Sequence, residues 1–307
     1  MLSYSKVQAF VFWLKWMLFL FAGGIVGGIL VVVVIAVGAL MQGEKLTAES
    51  LLGIGGNPWS AVFGNGLVWV ALMVWEIKRL RLSRAKALAM RASPLSRFAP
   101  VAVIGLGVVV IGNDIEAGVE ALLPMPEFFR NLMNSLGDMS AYPIGALLAM
   151  VVIAPVTEEA VFRGFILRGL LNQGAGARTA VLLSAFLFAV MHLNPWQGVA
   201  AFFIGLVLGW VYLRTRSLAL CMTLHAINNG FSVLMSNWPG LGKFLGMTDP
   251  NAAEFTPWWL SVAGVVLLAG GMAWLRFLTL AGAPADELAP AKPPPLPVMA
   301  CQGAAQK

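Results

Sequence analysis

Charged side chains are scarce along this chain: Asp, Glu, Lys and Arg make up 11% of its 307 residues. A soluble domain usually carries about 25% charged residues. Hydrophobic residues make up 59%, and the mean hydropathy is +0.83. This balance argues against a soluble domain and indicates lipid as the surrounding solvent. The net charge of +6 does not indicate a nucleic-acid partner, because most of the basic residues lie in particular loops.

Cysteine and histidine are also rare, with two residues of each type. Cys221 and Cys301 lie far apart in unlike surroundings, so neither a disulfide framework nor a thiolate metal cluster follows from them. The simplest role for Cys221 is that of a small apolar residue in a helix. Both histidines fall within apolar segments rather than in loops.

Long apolar runs are the dominant feature of the sequence. A membrane-spanning helix needs about 20 apolar residues, and eight segments approach or exceed that length. They are 16–41, 59–77, 98–113, 142–167, 178–195, 198–213, 217–236 and 257–280. The sequence therefore predicts an all-α, polytopic membrane helix bundle of about eight transmembrane helices. The run 281–307 is rich in proline and cannot pack a core, so we predict a membrane domain over 1–280 and a disordered cytoplasmic tail.

The placement of basic residues predicts the orientation. With a cytoplasmic N-terminus and eight alternating spans, only three of the 20 Lys and Arg residues fall outside: Lys45, Arg130 and Lys243. The positive-inside rule favours this arrangement, with both termini cytoplasmic. The acidic stretch 114–141 is then an outer loop, which we expect to form a short helical or interfacial segment.

Three polar clusters interrupt the apolar segments, and ionisable groups within a bilayer are functional-site hypotheses by default. The first is Glu158-Glu159-x-x-x-Arg163, in which Glu159 and Arg163 have the favourable i,i+4 order for an ion pair. Neighbouring helical residues point about 100° apart, so Glu158 faces elsewhere and is free for acid–base work. The alternative is that both glutamates pair with arginines and only stabilise the helix.

The other two clusters contain the only histidines. His192 follows Phe188 by four residues, and Asn229 follows His225 by four, so each pair shares one helix face. His225 and Asn229 could offer two donors to a developing oxyanion. Either histidine alone could equally form a hydrogen bond between helices. Three such placements on separate segments favour one common polar site.

Taken in order, these clusters resemble the motifs of the CAAX protease and bacteriocin-processing (CPBP) family, also called type II CAAX prenyl endopeptidases. The motifs read Glu158-Glu159-x-x-x-Arg163, Phe188-x-x-x-His192 and His225-x-x-x-Asn229. Each motif alone is weak, whereas the ordered set of three is specific. The resemblance covers about 142–236, and the eight-span topology agrees with the family's fold.

The resemblance implies that the protein hydrolyses a peptide bond within the membrane. It implies that Glu158 activates a water molecule with the help of His192, while His225 and Asn229 stabilise the tetrahedral oxyanion. Among the supporting residues, Glu159 and Arg163 would orient the helix and Glu158. Phe188 completes the second motif.

Metal dependence has two possible answers. A catalytic zinc usually takes three protein ligands, and Glu158, His192 and His225 could supply two histidines and a carboxylate. The His-Glu-x-x-His helix of common zinc proteases is absent, and glutamate-activated water needs no metal. We favour the metal-free mechanism, with a divalent metal such as zinc as the alternative.

The expected partners are the lipid bilayer and a membrane-anchored protein or peptide substrate. A non-catalytic scaffold or immunity protein is the alternative to an endopeptidase. A transporter with a proton relay fits less well, because the chain lacks an inverted repeat and paired broken helices. For a bacterial source, we expect the plasma (inner) membrane. The sequence indicates neither the cleavage sequence nor the oligomeric state.

Overall fold

A computed structural model describes residues 5–42, 58–60, 62–63, 66–79, 93–131, 142–245 and 254–281. Within these ranges the chain is helical and forms no strand. The principal helices are α1 (Lys6–Met41), α2 (Gly66–Arg79), α3 (Phe98–Leu122), α4 (Pro143–Asn172), α5 (Ala177–Met191), α6 (Pro195–Thr215), α7 (Leu218–Asn237) and α8 (Trp258–Ala281). Short turns of helix occur at Pro58–Ser60, Leu95–Arg97 and Pro239–Phe244.

Each of the eight predicted apolar segments coincides with one of these helices. Six of the helices in the described ranges are long and apolar enough to cross a membrane, namely α1, α3, α4, α6, α7 and α8. The other two, α2 and α5, have 14 and 15 residues. The polytopic helical membrane bundle is therefore confirmed. The exact number of spans, the cytoplasmic termini and the domain boundaries stay predictions, and the proline-rich tail lies outside the described residues.

Two helix boundaries differ from those predicted. α1 begins at Lys6 rather than Trp16, because Ser5 caps it: the Ser5 hydroxyl accepts from the Gln8 N–H, and the Gln8 side chain accepts from the Ser5 N–H. α3 continues to Leu122, so the first part of the predicted outer loop 114–141 is helical. Asp114 in this helical part accepts from both the backbone N–H and the hydroxyl of Thr256.

Helices α3 and α8 pack through glycine, which lets their backbones approach closely. A Cβ atom on Gly107 would lie 2.5 Å from the backbone nitrogen of Leu268 and 2.7 Å from the carbonyl oxygen of Gly264. Real Cβ atoms do not come so close to backbone atoms. The contact between these helices therefore depends on the missing side chain, as is common in membrane bundles.

We expect Gly107→Ala to lower the free energy of unfolding of the detergent-solubilised protein by about 1–3 kcal/mol, the usual range for overpacking, and with it the melting temperature. The added methyl group must push α8 away, because it meets backbone rather than a side chain. Gly112→Ala on the same helix is the matched control, since its Cβ would meet only the Ile204 side chain, at 3.9 Å. Equal melting temperatures for the two variants would contradict the close packing of α3 on α8.

The core of the bundle is built around α4, and α1 docks onto it through one face of its first half. The Phe12 ring stacks on Phe165 of α4 at 5.3 Å. The Trp13 indole N–H donates to the carbonyl of Leu187 on α5 at 3.0 Å. α5 and α6 also pack tightly, because a Cβ atom on Gly205 would lie 3.0 Å from the Ala185 backbone. These contacts fix α4, α5 and α6 around the polar residues described next.

Candidate active site

The polar residues of α4 lie where the helix departs from regular geometry. Glu158 and Glu159 stand between two π-helical stretches, Leu148–Ile153 and Ala160–Leu167. Such wide turns are rare and often occur at functional sites. They also leave some backbone carbonyls to be satisfied by side chains from other helices.

Asn229 of α7 satisfies one of these carbonyls. Its side-chain nitrogen donates to the Met150 carbonyl at 3.0 Å. The Ala154 N–H bonds to Ala149 instead, and Pro155, five residues after Met150, has no N–H to offer. The proline thus releases the carbonyl that Asn229 binds. This hydrogen bond ties α7 to α4 about two helical turns before the two glutamates.

Glu159 and Arg163 form a fully buried ion pair, with both side chains 0% exposed. An Arg163 terminal nitrogen donates to the Glu159 carboxylate at 2.8 Å, and the other donates to the Gly205 carbonyl at 3.1 Å. The same carboxylate oxygen accepts from the Nδ1 atom of His225 at 2.9 Å. Arg163 and Glu159 therefore connect α4 to α6 through Gly205 and to α7 through His225.

Glu158 points elsewhere, as the helical spacing predicts. Its side chain is 19% exposed, and its Oε2 lies 3.8 Å from the Nε2 atom of His225. That oxygen has no hydrogen-bond partner within the part of the chain that the structure describes. Of the two adjacent carboxylates, Glu159 is neutralised by Arg163, whereas Glu158 is partly exposed and places its buried Oε2 beside His225 without a hydrogen bond.

Phe188 lies at the centre of the cluster. Its ring meets those of His192 and His225 edge-on, with centroids 5.1 Å and 5.7 Å away. The Arg163 guanidinium lies over the ring at 4.8 Å, and Phe162 packs against it at 5.2 Å. Phe188 thereby fixes the positions of both histidines and covers the buried ion pair.

The orientation of His192 follows from how α5 ends. The His192 N–H donates to Ala189, three residues back, at 3.2 Å, and this leaves the Phe188 carbonyl free. The His192 Nδ1 atom bonds to that carbonyl at 2.9 Å. A carbonyl only accepts, so Nδ1 carries the proton. In the neutral ring, Nε2 is then an acceptor. Leu193 completes the turn in the left-handed conformation, with φ of 50°.

Six of the residues predicted from the motifs thus meet in one cluster: Glu158, Glu159, Arg163, Phe188, His192 and His225. Asn229 lies one turn beyond His225, but its amide nitrogen is directed to Met150. Sequence reasoning missed two partners that act through backbone carbonyls, Met150 and Gly205. Pro155 is a signal for the first, whereas nothing in the sequence marks Gly205 as a partner of Arg163.

Glu158, His192 and His225 are the predicted donors for a metal ion. No group of three His, Cys, Asp or Glu side chains is placed to hold one ion among the residues that the structure describes. The predicted zinc set of Glu158, His192 and His225 therefore does not fit as these side chains stand. Metal dependence stays a prediction, and no step below passes through a metal.

Known proteins match the segment that carries the motifs. The family model of type II CAAX prenyl endopeptidase Rce1-like proteins matches residues 140–231. CAAX prenyl protease 2 of Arabidopsis thaliana is 34% identical over 119 residues, which cover 31% of this chain and 38% of that protein. Membrane-embedded CAAX protease MroQ of Staphylococcus aureus is 33% identical over 89 residues, covering 27% and 36%. No solved structure matches the chain at a significant level.

These matches confirm the family resemblance predicted from the three motifs, over the segment that contains them. The chain spans less than two fifths of the length of each relative that it matches.

Proposed function

We propose that this protein is an intramembrane endopeptidase that hydrolyses a peptide bond in a membrane-anchored protein or peptide. The observation that carries the proposal is the unequal pair of carboxylates within the matched segment 140–231. Glu159 is fully buried and paired with Arg163, whereas the Glu158 side chain is 19% exposed, has no cationic partner within the described ranges and lies 3.8 Å from a histidine. A free carboxylate beside two oriented imidazoles suits the activation of water.

In the first step, Glu158 takes a proton from a water molecule, whose oxygen attacks the carbonyl carbon of the scissile bond. The Nε2 lone pair of His192 accepts a hydrogen bond from the same water and aligns it. The tetrahedral intermediate then collapses, the C–N bond breaks, and the proton held by Glu158 passes to the leaving amine.

His225 stabilises the negative charge that develops on the carbonyl oxygen. Its Nδ1 proton is held by Glu159, so Nε2 must also be protonated to donate to an oxyanion. Charges within the cluster balance in that state: Arg163 neutralises Glu159, and the His225 imidazolium balances the Glu158 carboxylate. A preorganised donor of this kind contributes about 10²–10³-fold in kcat.

Asn229 provides the second donor of the proposed oxyanion site. A side-chain amide has two hydrogens, and the contact with Met150 uses one of them. The other is the hydrogen assigned here to the oxyanion. The Met150 contact then orients Asn229 as Glu159 orients His225.

The proposed setting is the plasma membrane of a bacterium, with a substrate that is itself held in the bilayer. The direct test is cleavage of membrane-anchored candidate peptides by the purified protein in detergent, read by mass spectrometry, with and without a chelator. Cleavage by wild type that is lost in Glu158→Gln supports the proposal. Cleavage that a chelator abolishes contradicts the metal-free mechanism. Equal cleavage by wild type and Glu158→Gln contradicts the role of Glu158.

A further inference from the structure

One face of α7 carries polar residues from the candidate site towards the end of the helix. His225, Asn228, Asn229 and Ser232 are spaced by three or four residues and therefore share one face. Their exposure increases along the helix: His225 is 4% exposed, the two asparagines are half-buried, and Ser232 is exposed. The opposite side of α7 is apolar, with Leu234 in contact with the surroundings.

Hydrogen bonds connect these polar groups to one another. The Asn228 side chain donates to the Asn229 side chain at 3.3 Å, and the Ser232 hydroxyl donates to the backbone carbonyl of Asn228 at 3.4 Å. In hydrocarbon, an amide without full hydrogen bonding is costly. A row of half-buried amides that ends in an exposed hydroxyl is therefore suited to contact with water rather than with lipid chains.

The first two turns of α7 have the opposite character. Leu218, Leu220, Cys221 and Leu224 are all 0% exposed. Leu218 and Cys221 share the face of His225, so that face is closed between the start of the helix and His225. Arg214 and Arg216, both exposed, mark that closed end. Among the residues that the structure describes, exposure along this face of α7 thus increases towards Asn237.

We propose that Asn228, Asn229 and Ser232 line a hydrated path along which water reaches Glu158 from the Asn237 end of α7. The use of this water in hydrolysis rests on the proposed function, whereas the hydration of the path does not. A hydrolytic site within a bilayer needs such a supply, because water is consumed in each turnover.

Cysteine labelling tests the path without any need for activity. Ser232→Cys, Asn228→Cys and the control Leu234→Cys are each placed in a Cys301→Ser background and reconstituted in lipid vesicles. A charged, water-soluble maleimide is supplied on both sides of the membrane. The native Cys221 is buried and sets the baseline. Since the thiolate is the reactive form and forms in water, we expect the first two variants to react about tenfold faster than Leu234→Cys.

Equal rates at all three positions, or no reaction at Ser232→Cys, would overturn the proposal. Melting temperatures show whether each variant is folded, and Ser232→Cys alone suffices if Asn228→Cys is not. Labelling of Ser232→Cys in a protein that cleaves no peptide would leave the path standing while counting against the endopeptidase.

Discussion

Glu158→Gln is expected to lower kcat for peptide cleavage by about 10³-fold, within the range of 10²–10⁴ for loss of a general base. The amide has the same shape as the carboxylate but cannot take a proton from water. Because Glu158 contributes no strong hydrogen bond in the resting site, the substitution should leave the melting temperature nearly unchanged. The effect should fall on kcat rather than on KM, since the proton transfer occurs only in the transition state.

The matched control is Glu127→Gln, an exposed glutamate outside the cluster. It makes the same chemical change and is expected to keep wild-type kcat. A Glu158→Gln protein with near-wild-type kcat would assign the base to another residue. A large loss of stability would instead show that Glu158 serves the fold.

Much of this arrangement could be predicted from the sequence. The apolar runs predicted the positions of all eight helices, because helices within a membrane consist mainly of apolar residues. The i,i+4 spacing predicted the Glu159–Arg163 pair, because it depends on one helix alone. Helical geometry likewise predicted that Glu158 would face away from that pair.

Contacts between helices could not be predicted in the same way. The spacing of Glu159 gives no information about His225, which lies 66 residues away and on another helix. The resemblance implied that Glu159 orients Glu158, and the structure adds a contact between Glu159 and His225. The depths of the two histidines in the membrane could not be predicted either, since each depth depends on where its helix begins. Phe188 contacts both rings and so places them within one site.

Arg163→Met is expected to destabilise the protein by about 3–5 kcal/mol, the usual cost of removing one partner from a buried ion pair. The Glu159 carboxylate would lose its neutralising charge and retain only the contact with His225. The Gly205 carbonyl would lose its donor as well. Thermal denaturation in detergent measures the loss. Arg178→Met, at an exposed position, is the matched control and should change stability by no more than about 0.5 kcal/mol.

The double variant Glu159→Gln/Arg163→Met separates stability from catalysis. Removing both charges should restore most of the lost stability, because no uncompensated charge remains buried. Cleavage should stay about 10- to 100-fold below wild type, since a neutral amide supports the His225 imidazolium less well than a carboxylate. Recovery of both properties would limit the pair to a structural role. Recovery of stability alone would show that Glu159 acts through His225, as the contact at 2.9 Å indicates.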